Sequence, residues 1–197
     1  MSGHDTDTRI ETDSLGQVQV PKAARWGAQT QRAVDNFPIS GRPLPERFIL
    51  AVVRIKRCSA EANLKLQQLP ADKQAAIVGA CNDLLDGHHL DQFPVDIFQT
   101  GSGTSTNMNV NEVIAHLCAD AGAEIHPNDD VNLGQSSNDT VPTAIHVSSV
   151  LAVTEQLLPG LEHLIATLGL RAREGRELVK TGRTHLMDAM PVTVEQE

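Results

Sequence analysis

Three stretches of the chain gather hydroxyl, amide and imidazole side chains in the way a small-anion or proton-transfer site would need. One is Gln99-Thr100-Gly101-Ser102-Gly103-Thr104-Ser105-Thr106-Asn107, and a second runs from His126-Pro127-Asn128-Asp129 through Gln135-Ser136-Ser137-Asn138-Asp139. The third is Thr181-Gly182-Arg183-Thr184-His185-Leu186-Met187-Asp188, where a cation, a hydroxyl and an imidazole follow a glycine. The first two run straight into apolar-periodic segments. Their polar residues therefore stand just before helix N-termini, where unpaired N–H groups and the positive end of the dipole favour an anion. The same residues would also suit ordinary coil, with Asn138 or Asp139 capping a helix, a structural turn at Gly101–Gly103 and a structural histidine at 185.

Other chemistries fit less well. The glycine loop lacks a Gly-Lys-Ser/Thr ending and a buried strand before it, and Thr106 breaks the GxGxxG spacing. His88 and His89 are adjacent and cannot share a helical face, no HExxH or Cys/His ligand spacing occurs, and no metal is expected. There is no GxSxG, and no cysteine lies beside a His-bearing polar loop. What is left is proton transfer and anion binding, with no cofactor.

The elements that must carry these loops are helices. The chain has 197 residues and few aromatics, four Phe and one Trp with no Tyr, so Ala, Leu and Val must build the core. Phe48, Val52, Ile55, Ser59, Ala62, Leu66 and Leu69 alternate in steps of four and three between Pro45 and Pro70, which predicts one long helix with that face inward. A second helix is predicted from Ala71 to Asp86, with Ile77, Cys81 and Leu84 inward and Gly87 as its stop. Val110, Val113, Ile114, Leu117, Cys118 and Ala121 predict a third, ended by Gly122.

From Val141 to Leu168 the pattern predicts a helix of about thirty residues, with a kink at Pro159 and Pro142 in a first turn capped by Asp139. A short extended piece of Leu15, Val18 and Val20, closed by Pro21, is expected, with a strand at Glu177–Lys180 and a new helix opening at Pro191. Residues 1–8 read as a disordered tail with no signal peptide. The stop at Glu197, without a cap, resembles a cut.

A net charge of −9 opposes nucleic acid, no apolar run is long enough for a membrane span, and three cysteines without CxxC read as reduced core thiols of a cytoplasmic protein. An anionic substrate must be welcomed by local donors against the overall field.

The blocks Trp26 to Arg32, Gln99 to Thr104, His126 to Asn132, Gln135 to Asp139 and Gly182 to Asp188, in this order, resemble the fumarase/aspartase superfamily over nearly the whole chain. Within it the similarity is to the class II fumarases, since the aspartases typically carry Thr where this chain has Ser137 and Gln where it has His185. One departure is Glu195, where members usually have Gly.

The resemblance implies a mainly α fold: an N-terminal helical domain with short strands over 9–135, followed from 136 to 197 by the start of a long-helix bundle domain. It implies a homotetramer whose active sites combine loops from three chains, and reversible hydration of fumarate to L-malate by acid/base anti elimination–addition within the tricarboxylic acid cycle. By the same resemblance Ser102, Gly103 and Thr104 bind substrate, as do Ser136, Ser137, Asn138 and Thr184. His185 handles the proton at the malate hydroxyl, and His126, Pro127, Asn128 and Asp129 form a second dicarboxylate site. The family's catalytic-base loop would lie beyond Glu197, so the chain alone is expected to be inactive. An aspartase-type ammonia-lyase and a non-catalytic helical fragment are the alternatives.

Overall fold

The structure, a computed structural model, describes residues 7–197. It begins with an antiparallel hairpin of β1 (Thr8–Asp13) and β2 (Gly16–Pro21), in register from Thr8 opposite Pro21 to Asp13 opposite Gly16. Of the tail expected over 1–8, residues 1–6 lie outside the described residues, and Thr8 already belongs to β1. β2 contains Val18 and Val20 of the expected extended piece, but Leu15 lies in the turn before it, where Asp13 Oδ1 accepts its N–H. Hydrophobic periodicity gives no sign of β1, because side chains rather than a buried apolar face hold it. The Arg9 guanidinium donates to the carbonyls of Pro21 (3.0 Å), Ala24 (2.5 Å) and Trp26 (2.7 Å), and Arg32 pairs with Asp13 at 2.9 Å.

Four helices follow: α1 (Ala28–Asn36), α2 (Glu46–Lys65), α3 (Ala71–Leu85) and α4 (Thr104–Asp120). α2 and α3 start directly after Pro45 and Pro70, whose fixed φ suits a helix entrance and whose missing N–H costs nothing there. α3 stops where expected. Gly87 takes φ +94°, its N–H reaches Leu84 O, and the His88 N–H reaches Asp83 O, which satisfies two terminal carbonyls. Ile77, Cys81 and Leu84 are fully buried against Val52 and Val53 of α2 and Val110, Val113 and Ile114 of α4. Each such side chain contributes about 1.5–3 kcal/mol on burial, so this cluster is the main stabilising element.

The inward face of α2 differs from the expected one. Phe48 and Val52 are buried as predicted, but Ala62 and Leu66 are exposed, and the buried positions continue through Lys56, Ala60 and Asn63. A hydropathy count misses this because the helix turns two polar residues toward a polar loop. Cys58 is likewise exposed and not a core thiol, whereas Cys81 and Cys118 are buried and burial raises their thiols to about 12 and 11. Ala121 lies at the exposed end of α4.

The remainder is α5 (Ser137–Ala152), a π-helical turn (Val153–Leu157), α6 (Leu158–Glu174) and a second hairpin of β3 (Val179–Thr184) and β4 (Met187–Thr193). The expected disturbance at Pro159 takes the form of the π turn just before it, where the Leu158 N–H reaches back to Val153 O. Two expectations fail. α5 is capped by Ser136 rather than Asp139: Ser136 Oγ accepts from Asn138 N at 3.2 Å and Ser136 O accepts from Thr140 N at 2.9 Å. Pro142 therefore lies beyond the first turn and deprives the Asn138 carbonyl of its helical donor. Pro191 opens no helix; it sits in β4 opposite Thr181.

The chain forms two compact units, one extending to Ser148 and one spanning Ser149–Glu197. The motif-based division at 135/136 falls where the polar loop meets α5. The mainly α architecture with short strands is the one expected.

Candidate functional site

The Gln99 loop is fastened before it reaches its exposed hydroxyls. Gln99 Nε2 donates to Asp96 O (2.9 Å) and Thr106 Oγ1 (2.8 Å), and its Oε1 accepts from Thr106 N at 2.8 Å, so it closes the entrance of α4. Asp96 accepts from the N–H groups of Ser40, Gly41 and Phe98 at 2.7–2.8 Å. Burial alone would raise its pKa, but these bonds outweigh burial and hold the carboxyl at about 2.

Ser102 and Gly103 are both left-handed, at φ +61° and +63°. A Cβ at Gly103 would stand 3.1 Å from Val141 Cγ2 of α5, so this position needs glycine both for its angle and for the approach of the two loops. The approach has a result: Thr104 Oγ1 and Ser137 Oγ are 3.0 Å apart. Ser102, Thr104, Ser136 and Asn138 are exposed at this junction, and Ser137 is half-buried. The N-terminus of α5 thus opens among hydroxyl and amide donors contributed by two loops distant in sequence.

His126 caps a short π-helical turn, Pro127–Val131, its Nδ1 accepting from Asp129 N at 3.1 Å and lying 3.0 Å from Asp129 Oδ2. Asp130 receives His126 N at 2.8 Å and Lys73 Nζ at 2.7 Å. His126, Pro127 and Asn128 border a cleft of about 450 Å³ that also touches Gln29, Glu112 and His116. In the second unit Thr184 and His185 are exposed at the tip of the β3–β4 hairpin, where Thr184 pairs with Met187. His185 and Leu186 form the two-residue turn with φ +50° and +63°, a geometry usually left to Asn and Gly. The structure thus brings the Ser102–Thr104 loop to the Ser136–Asn138 loop within the first unit; Thr184 and His185 belong to the second.

Several residues that build the site carry no motif. Glu112, buried in α4, accepts from Gly27 N (2.9 Å), Gln29 N (3.0 Å), Thr30 N (3.0 Å) and Thr30 Oγ1 (2.6 Å). It caps α1 from another element, and a Cβ on Gly27 would come within 3.0 Å of it. Lys56 is fully buried, and its Nζ donates to Asn132 Oδ1 (2.8 Å) and Gln135 Oε1 (2.9 Å). Burial lowers its pKa to about 7. Asn63 Nδ2 donates to Leu133 O at 3.0 Å. The available signal was a lysine and an asparagine seven residues apart on a face that continues the apolar stripe. Among the described residues there is no cluster of His, Cys, Asp and Glu able to hold a metal, and no helix is long and apolar enough to cross a membrane.

Residues 16–197 match the family described as Lyase. The chain is 54% identical over 192 residues to fumarate hydratase class II 2 of Pseudomonas aeruginosa, covering 97% of this chain and 42% of that protein. It is 58% identical over 190 residues to fumarate hydratase class II of Xylella fastidiosa, covering 96% and 40%. Among solved structures, fumarate lyase:delta crystallin from Brucella melitensis superposes with a TM-score of 0.89 at 46% identity, over 96% of this chain and 46% of that one. Recombinant class II fumarase from Schistosoma mansoni gives a TM-score of 0.88 at 41% identity, over 96% and 41%. The chain spans about two fifths of the length of the curated relatives it matches.

Proposed function

Because the chain belongs to the lyase family, we propose that it is the amino-terminal part of a class II fumarate hydratase, which adds water to fumarate and removes it from L-malate. The observation that carries this reading is the Thr104–Ser137 hydroxyl pair at 3.0 Å, which joins two donor-rich loops over the N-terminus of a helix of 16 residues. Such a junction supplies fixed dipoles for a carboxylate.

Ser102, Gly103 and Thr104, with Ser136, Ser137 and Asn138, take the dicarboxylate, and Thr184 adds a contact. Removing a proton next to a carboxylate builds a second negative charge on that group. Donors fixed around it stabilise the charged intermediate more than the substrate. The departing hydroxide must be protonated, and the His185 imidazole is the group for that proton. The base that takes the carbon-bound proton lies outside this chain, so these residues alone do not turn over substrate. His126, Pro127, Asn128 and Asp129 form a second dicarboxylate site, and the functional enzyme is a cytoplasmic homotetramer with sites shared between chains. The domain that carries both substrate loops' supports runs from 9 to 135, and 136–197 begins the bundle. This placement is supported by the exposed apolar row Leu157, Leu161, Leu164 and Leu168, which needs partner helices.

The test is loss of fumarate's ultraviolet absorbance with the complete protein. Hydration by the wild type, abolished in His185→Asn and largely kept in His126→Asn, is the expected result. Ammonia release from aspartate without hydration would replace the reading by an ammonia-lyase, and turnover by residues 1–197 alone would show the base to be present already.

A further inference from the structure

A buried ammonium with only amide oxygens for partners is an expensive way to fill a core position. Lys56 is fully buried on α2, and among the described residues no carboxylate pairs with it. A methionine would fill nearly the same volume without desolvating a charge. What methionine could not do is donate to two acceptors on the neighbouring turn.

The turn in question, Asn132–Gln135, immediately precedes Ser136, Ser137 and Asn138. Asn132 Oδ1 receives Lys56 Nζ at 2.8 Å, Asn107 Nδ2 at 3.1 Å and Asn111 Nδ2 at 3.3 Å. Gln135 Oε1 receives Lys56 Nζ at 2.9 Å, and Gln135 Nε2 returns to Val131 O at 2.9 Å. Asn63, two helical turns beyond Lys56 on α2, holds Leu133 O. The turn is therefore clasped from two sides, by Lys56 and Asn63 of α2 and by Asn107 and Asn111 of α4.

Asn107 Oδ1 and Asn111 Oδ1 are buried without a partner, so both amides give up one hydrogen bond in order to aim their donors at Asn132. Asn107 also lies one turn after Thr104. The network thus spans the bases of both substrate loops.

We infer that Lys56 is a positioning residue for the dicarboxylate site, fixing the Asn132–Gln135 turn against α4 so that Ser137 and Asn138 meet Thr104 at the α5 N-terminus. Its role in substrate binding rests on the fumarate hydratase reading, whereas its hold on the loop stands on the network alone.

The experiment compares wild type with Lys56→Met by hydrogen exchange of the chain and by steady-state kinetics of the complete protein on fumarate. Both hydrogen bonds from Lys56 Nζ are lost, so amides 132–140 should exchange about tenfold faster or more while those of α3 keep their rates. KM for fumarate and the inhibition constant of succinate, a dicarboxylate that cannot react, should both rise about fivefold or more. A merely structural lysine would lower the active fraction or speed exchange throughout, and unchanged KM and succinate inhibition would overturn the inference. If Lys56→Met does not fold, Gln135→Met removes one acceptor at a half-buried site. It should give a smaller rise in the same quantities, and no rise would overturn the proposal equally. A wild type that leaves fumarate untouched would sink the functional reading, with the exchange result still deciding whether Lys56 holds the loop.

Discussion

The unit ending at Ser148 and the unit after it deal with polar and apolar groups in opposite ways. In the first, polar side chains go inside: Lys56, Asn107, Asn109, Asn111 and Glu112 are buried and each makes at least one hydrogen bond, although the three asparagines leave their Oδ1 unpaired. The apolar cluster around Ile77 and Leu84 packs beside them. In the second, α6 has no buried residue, and Leu157, Leu158, Leu161, Leu164, Ile165 and Leu168 are all exposed. One region uses its helices to fix loops; the other presents an exposed apolar helix face and a hairpin. Within the first unit two hydroxyl-rich loops meet at Thr104 and Ser137, whereas His185 stands exposed at a hairpin tip in the second.

In the complete protein His185→Asn should lower kcat for fumarate hydration by about 10²–10⁴, since it removes the group proposed above for proton transfer, while the capping histidine substitution His126→Asn keeps most activity. Equal and mild losses would erase the distinction between the two histidines.

Next in size is packing. Leu84→Ala should destabilise the first unit by about 2–5 kcal/mol in urea unfolding, whereas Leu164→Ala should leave the stability of the chain within about 0.5 kcal/mol and show instead as reduced association in light scattering. A large stability loss from Leu164→Ala would mean that α6 is already packed.

Two buried ionisable groups of the first unit make its stability depend on pH. Lys56 releases its proton at about 7 in the fold against 10.5 when free. The unfolded chain thus binds one more proton between those values, and stability should rise as pH goes from 7 to 10.5. Lys56→Met should flatten that slope. Asp96, held at about 2 against 3.8, works the other way: its contribution is complete above about pH 4 and disappears as pH falls to 2, and Asp96→Asn should abolish that loss. Gly103→Ala, with a left-handed φ and Val141 3.1 Å from the new methyl, should cost about 1–2 kcal/mol and weaken substrate binding in titration.

Much of this was legible in the residues. Ile77, Cys81 and Leu84 announce their face because nothing but burial explains their spacing, and Gly87 stops α3 because its φ requires it. The hydroxyl loops are visible as composition, and the meeting of Thr104 with Ser137 follows from Gly103, a residue the motif already contained. What stayed hidden depends on partners far apart in the sequence. β1 is held by Arg9 reaching carbonyls up to Trp26, α1 by Glu112, and the Asn132 turn by Lys56. Each is a polar residue whose burial makes sense only once its acceptor is in place, and hydropathy counts such residues as solvent-facing. Pro191 misled for a related reason: proline suits a helix entrance, but it also suits an edge strand, and only pairing with Thr181 decides between them.

The smallest expected effect concerns the hairpin tip. Leu186 holds φ +63° while its side chain touches only solvent, so Leu186→Gly should slow exchange of the β3–β4 amides by a gain of about 0.5–1 kcal/mol. A library of this chain selected for folding alone should therefore drift toward glycine or asparagine at 185 and 186. Selection for turnover should instead hold the imidazole fast, so the two pressures part company at a single bend.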